Sequence, residues 1–317
     1  MLLPMSLKPA LKPALKPAPR PAIIYKQLLY FSNLSTTGKL SLISLFCLSS
    51  VASLQGVDVT KGTHSEDKLI KEKQAELFTL PSIDTSGLEP RIKRFLDKYY
   101  QENFPDEAEI QATHSLQFIG TYTINNQSEG QIKIIKKRPN KYKSRIKNKQ
   151  GSEQVTTFNG TELYSGIRSK KGDLFDWEIL DVNKPENSWI QFDQHFDSLM
   201  LSPKDPNKKM ILLKAYREDG IIIQPIRIEH NSGYTITNYV DVSDNLILFS
   251  KVELHTPSHP NYNQFEIHYE AYEMINGIRF PTILISKVSP ELTVRNEFTE
   301  IKINLGVSSF IFEPSDY

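Results

Sequence analysis

Histidine, cysteine and carboxylate side chains could hold a metal or move a proton, and their spacing in this chain supports neither. The histidines are His64, His114, His195, His230, His255, His259 and His268. Only His255 and His259 stand close together, in His-Thr-Pro-Ser-His, where Pro257 forbids the helix that would turn such a pair onto one face. The lone Cys47 excludes a disulfide framework and a cysteine zinc site. The sequence has no Gly-x-Ser-x-Gly elbow, no phosphate-binding glycine loop and no dinucleotide glycine cluster. Carboxylates are plentiful, but nothing in their order pairs them for acid–base work. The expectation is a protein without metal, cofactor or catalytic centre.

Charge and apolar surface remain. Lys133, Lys136, Lys137, Arg138, Lys141, Lys143, Arg145, Lys147 and Lys149 follow one another with no acidic residue among them. A formal net charge of +1 argues against a dedicated nucleic-acid binder. The run reads as the solvated face of a hairpin, whose lysines discourage edge-to-edge aggregation, or as a face that docks on an anionic membrane or an acidic partner. Lys136, Lys137, Lys141, Lys143 and Arg145 are the residues expected to form that face.

The elements that position these groups follow from periodicity. Ile132 and Ile134 alternate up to the basic residues, Pro139-Asn140 makes a corner, and Tyr142, Ser144 and Ile146 alternate with the cations beyond it. Comparable runs continue from Leu116 to Phe312, with Asn159-Gly160 read as a type I′ turn. About eleven short strands and no crossover helices predict a mainly β (α+β) chain, an antiparallel sheet curled into a half-open barrel. Two helices interrupt it. Ser86-x-x-Glu89 reads as a capping box, with Pro90 in the first turn and Leu88, Ile92, Phe95 and Tyr99 as an apolar stripe to Asn103. Trp189, Phe192, Phe196 and Leu199 recur at helical spacing in mid-sheet, as a plug of the core or a lid over it.

The first 53 residues read as a leader. Leu-Lys-Pro-Ala repeats keep the chain extended, and Lys39 precedes the apolar run from Leu40 to Ala52. That run is shorter than the roughly 20 residues of a membrane span, so cleavage is expected near Ala52–Leu54. Leu45 and Phe46 before Cys47 argue against lipidation. Residues 54–86 read as a polar tether or loose helix, and 87–317 as the folded domain.

The stretch from Gly130 to Ile146 resembles the LolA-like superfamily of periplasmic lipoprotein-sorting carriers, in which a strand ends in a basic residue, Arg, Pro and Asn. Gly306–Pro314, with its Phe-Ile-Phe-Glu-Pro ending, resembles that family's closing strand. Similar too are Asn276–Pro281 and the hairpin from Tyr239-Val240-Asp241 to Asn245-Leu246-Ile247. The resemblance spans about Leu88 to Pro314, and the chain departs from the compact carrier in its length and its extra polar segment. It implies a half-barrel that binds acyl chains under helices, in the periplasm of a diderm bacterium. Arg138 would latch the lid through carbonyls at a helix end, and Trp189, Phe192, Phe196 and Leu199 would form it. Ile132, Ile134, Phe265, Ile267 and Tyr269 would line the cavity. Implied partners are lipoprotein or lipid acyl chains, with an inner-membrane transporter or an outer-membrane acceptor, and no nucleic acid. The other reading is an envelope sensor using the same half-barrel to detect lipid or mislocalised lipoprotein. Sensors of that kind carry a second C-terminal domain, which this sequence does not show.

Overall fold

The computed structural model describes residues 80–315, apart from 172–173, 183–186, 188, 232, 255–263 and 290. The leader, its cleavage site, most of the tether and the His255–His259 loop lie outside the described residues.

Alternation of apolar and polar residues produces one antiparallel sheet of fourteen strands, left open rather than closed into a barrel. In chain order they are β1 (Ser115–Ile124), β2 (Gln127–Lys137), β3 (Lys141–Asn148), β4 (Glu153–Phe158), β5 (Leu163–Arg168), β6 (Asp176–Leu180), β7 (Lys208–Leu212), β8 (Tyr216–Glu218), β9 (Ile221–His230), β10 (Tyr234–Asp241), β11 (Ile247–Leu254), β12 (Gln264–Ile275), β13 (Ile278–Ser289) and β14 (Leu292–Ile303). The spatial order is β6-β5-β4-β3-β2-β1-β14-β13-β12-β11-β10-β9-β7, with β8 beside β9. The count exceeds the expected eleven because the short β6, β7 and β8 carry too few residues for alternation to show. Apart from β6–β7 and β7–β8, consecutive strands pair with each other antiparallel, and β7 pairs with β9 and β1 with β14. The chain leaves the β6 edge and re-enters at the opposite edge in β7, so residues 181–207 must cross the sheet.

Among the described residues three α-helices accompany the sheet: α1 (Pro90–Asn103), α2 (Glu107–Ala112) and the five-residue α3 (Trp189–Asp193). Ser86 does not cap α1. The Glu89 carboxylate caps it instead, accepting from Arg91 N and Ile92 N, while the Ser86 hydroxyl turns to Asp84. Leu96, Tyr99 and Tyr100 of α1 are buried in the core together with Tyr142, Ile146, Trp189, Ile236 and Phe265. That core lies between the helices and one face of the sheet, and successive side chains of each strand point alternately into it and to the outer face.

Residues 80–86, assigned by sequence mostly to the tether, pack on this domain. Ser82 N donates to Ser202 Oγ at 3.0 Å, and Ser202 N donates back to Ser82 O at 2.7 Å. The Asn159-Gly160 turn spans four residues, Asn159–Glu162, in which Asn159 Oδ1 accepts from Thr161 N and Glu162 N. Two successive residues with positive φ, the requirement of a type I′ hairpin, stand instead at Asn125-Asn126 (49° and 64°), Asp219-Gly220 (49° and 84°) and Asn276-Gly277 (47° and 75°).

The C-terminal segment is not a closing strand. Ser309–Phe312 forms a single 3-10 turn laid across the outer face. Lys143 Nζ donates to Ile311 O at 2.7 Å and Thr157 Oγ1 to Phe312 O at 2.8 Å, with Phe312 fully buried.

Candidate ligand-binding site under the lid

The segment that crosses the sheet begins as α3 and continues without helix to Leu201. Trp189 and Phe192 are therefore helical and Phe196 and Leu199 are not, although Trp189, Phe192 and Leu199 pack in or on the core and Phe196 is buried at the cavity. A five-residue helix suffices because tertiary contacts take over. Trp189 packs edge-on to Tyr142 at 6.1 Å, and Phe192 meets Tyr234 at 5.8 Å and Phe265 at 6.3 Å. Farther along, Tyr100 Oη donates to Met200 O at 2.6 Å. Lys208 Nζ donates to Leu199 O at 3.1 Å and also to Leu201 O. Burial holds this ammonium at a pKa of about 8, well below the ordinary lysine value.

Beneath the segment is a cavity of about 270 Å³. Its walls are mainly apolar: Tyr99 and Phe104 from α1 and the loop after it, Ile110 from α2, Phe192, Phe196 and Leu199 from the lid, and Ile236, Tyr269 and Ile278 from the sheet. Lys136, Arg138, Asp193, His195 and Asp197 make its polar rim.

That rim is built from two strand-end cations and two lid carboxylates. Lys136 and Arg138, two apart at the end of β2, point to the same side of the sheet. Lys136 Nζ donates to Asp193 O at 3.0 Å and lies 3.3 Å from Asp193 Oδ1. Arg138 grips Asp197 with Nη2 and Nε, and also donates from Nη1 to Gln111 O at 2.9 Å and from Nη2 to Ile110 O at 2.8 Å. Its guanidinium lies over the Phe196 ring, 4.9 Å from the centroid. Arg138 thus joins the end of α2 to the lid. Burial raises the Asp193 and Asp197 carboxyls, against the opposing pull of Lys136 and Arg138 respectively. His195 is held down to about 4, chiefly by burial and then by His230, and its Nε2 lies 2.9 Å from Tyr234 Oη.

Of the residues expected to line the cavity, Tyr269 does. Ile132, Ile134, Phe265 and Ile267 are buried in the surrounding core, as is Trp189. The five basic residues do not make one exposed face. Lys136 faces the lid, Lys137 donates to Val307 O and Lys143 to Ile311 O beneath the C-terminal turn, and Arg145 is paired with Glu153. Only Lys141 of the five has no such tie described. Alternation turns only Lys136 to the lid side; Lys137, Lys141, Lys143 and Arg145 share the outer side, where the C-terminal segment and Glu153 engage three of them. Asp193, His195, Asp197, Tyr100 and Lys208 were not read from the sequence. The available signal was the match between two cations at i, i+2 on a strand end and two aspartates at i, i+4 beside the aromatic stripe.

No family model matches the chain, and no curated protein sequence matches it. Its fold is similar to that of a putative outer membrane lipoprotein-sorting protein domain from Vibrio parahaemolyticus (8% identity, 69% of this chain and 94% of that one, TM-score 0.45). It is similar also to a LolA superfamily protein from Nitrosomonas europaea (12%, 70% and 97%, TM-score 0.46) and to a DUF1329 family protein from Desulfovibrio piger (12%, 70% and 97%, TM-score 0.47). These are likenesses of fold alone.

Proposed function

We propose that the protein is an exported, non-catalytic carrier that holds acyl chains of lipids or lipoproteins under its lid, receiving them from one membrane-bound partner and delivering them to another. The observation that carries this reading is the cavity itself, apolar in its walls and gated by a segment whose two aspartates are held by Lys136 and Arg138. An apolar cavity with a few converging polar groups is the usual form of a small-ligand site. Its volume of about 270 Å³ suits part of a chain, and movement of the lid would admit more. Because most of the lining side chains are apolar or aromatic, binding of apolar groups is the chemistry that lining favours.

The test is displacement of a neutral naphthylamine dye by monoacylglycerols of increasing chain length. Each buried methylene is worth about 0.8 kcal/mol, roughly fourfold in affinity, so potency should climb steadily and level off once the cavity is full. Absence of displacement, or potency independent of length, would sink the proposal.

A further inference from the structure

At the end of the sheet away from the Arg138 latch, a second surface combines charge with exposed apolar groups. The turn between β3 and β4 and the end of β5 meet there, since Lys147 stands opposite Glu153 and Glu153 opposite Arg168 in the ladders. The Lys170 side chain lies against Gly151 of that turn, 3.4 Å from where a Cβ would sit. Lys147, Lys149, Lys170 and Lys171 are all exposed.

The acidic residue at the centre of this corner is already engaged. Glu153 is buried, lies 3.6 Å from Arg145 Nε and is also bonded to Arg168. Both guanidiniums stack on Phe175, at 6.0 and 4.6 Å from its ring centre, and Phe175 packs on Trp177 at 5.4 Å. Trp177 in turn lies flat against Gly166, where a Cβ would come within 2.7 Å of its ring. Phe175 and Trp177 are thereby packed on the outer face. The other acids near the corner are Asp173 in the loop sequence, Asp176 and Glu178 on β6, and Glu129 on β2, whose carbonyl accepts from Lys149 N; with Glu153 they number five against six cations, so positive charge is in excess by one. Leu174 and Ile179, on the loop and on the edge strand β6 that follows it, are each 68% exposed.

Four exposed lysines around a packed aromatic pair, with bare aliphatic side chains beside them, match the two requirements of a membrane interface: charge attraction to anionic headgroups and shallow apolar insertion. An acidic protein surface would use the lysines but leave Leu174 and Ile179 uncovered. We propose that this corner docks the protein on a bilayer surface rich in anionic phospholipid. The inference is independent of what the cavity holds.

The test is flotation of the full chain with vesicles of phosphatidylcholine alone or mixed in equal parts with phosphatidylglycerol. Binding should require phosphatidylglycerol and fall sharply near about 0.5 M salt, where the screening length drops below about 5 Å. Each lysine at such a surface is worth about fivefold in partitioning. The variant Lys147→Gln, Lys149→Gln, Lys170→Gln, Lys171→Gln should therefore bind at least about a hundredfold more weakly, and Leu174→Ser several-fold more weakly. All five side chains are exposed, so both variants should melt with the wild type and displace dye from the cavity as it does. Equal binding to both kinds of vesicle, or undiminished binding by the quadruple variant, would overturn the proposal. So would capture by immobilised polyglutamate without vesicle binding, which would assign the corner to an acidic protein.

Discussion

Arg138 and Asp197 meet through two bonds, Nη2 to Oδ1 at 2.5 Å and Nε to Oδ2 at 3.2 Å, while the same guanidinium serves the last carbonyls of α2. One side chain at the end of a strand thus ties a helix to the lid. A guanidinium suits the position because its fixed fork of donors satisfies a carboxylate and two carbonyls at once, which an ammonium cannot do.

Replacing Arg138 with Leu should therefore do more than remove one contact. It leaves Asp197 without its cation and two α2 carbonyls without donors. Breaking a buried pair by removing one partner costs about 3–5 kcal/mol. Asp197 keeps some access to water, so the lower end is expected. Arg138→Leu should lower the melting temperature and speed dye release at least tenfold, with the far-ultraviolet β signal retained. Arg138→Lys should recover only part of the loss. A folded Arg138→Leu protein that releases dye at the wild-type rate would show that this residue does not control the lid.

His195 gives the lid a dependence on pH whose sign can be worked out. Its pKa is held near 4 in the folded protein, against 6.5 when unfolded. Between those values the unfolded chain binds the extra proton, so stability contributed by neutral His195 is full above pH 6.5 and is lost as pH falls toward 4. The shift corresponds to at most roughly 3 kcal/mol. Asp193 and Asp197, with raised values, work in the opposite direction and are common to both proteins if wild type is compared with His195→Gln. The stability advantage of wild type over His195→Gln, from urea unfolding, should shrink steadily from pH 7 to pH 4. A difference that stays flat over that range would mean the ring is not buried.

The two phenylalanines near the C-terminus separate a sequence motif from its structural reason. Phe312 is fully buried on the outer face, where the backbone around it receives Thr157 and Lys143, whereas Phe310 is 68% exposed. Phe312→Ala should cost about 3–5 kcal/mol by leaving a cavity, and Phe310→Ala should change stability by less than about 0.5 kcal/mol. Chemical denaturation of the two variants side by side distinguishes them. Equal losses would mean that the segment does not pack as a turn anchored by Phe312.

Strand alternation was legible wherever one face of a strand is dry and the other wet. The β2–β3 hairpin was read correctly because its signals are local. The stripe from Trp189 to Leu199 shows where local reading stops. Its spacing fits a helix, but Tyr100, Lys208 and Arg138, all distant in sequence, take up the backbone and carboxylates beyond Asp193, and the helix ends there. Glu89 displaced Ser86 as the cap for a local reason, since Asp84, two residues away, claims the Ser86 hydroxyl. The basic run does not form one exposed surface because partners distant in sequence, Val307 and Ile311 of the C-terminal segment and Glu153 of β4, engage Lys137, Lys143 and Arg145 on the outer side, and Lys136 turns to the lid.

The lid's apolar face offers the sharpest test of the cavity. Phe192 and Phe196 both line it, Phe192 edge-on to Tyr234 and Phe265 and Phe196 beneath Arg138. Changing both to Asp places two carboxylates where a chain's methylenes would lie. A carboxylate without a partner is costly to bury, so the variant lid should stand open to water. The sheet keeps its own ladders and most of its core, and the protein should remain folded by circular dichroism. The rise of potency with chain length should then vanish, whereas Leu80→Asp, at an exposed site outside the cavity lining, should leave it intact. If the double variant folds and still discriminates chain length, the chains bind elsewhere, and the cavity under the lid is not the site.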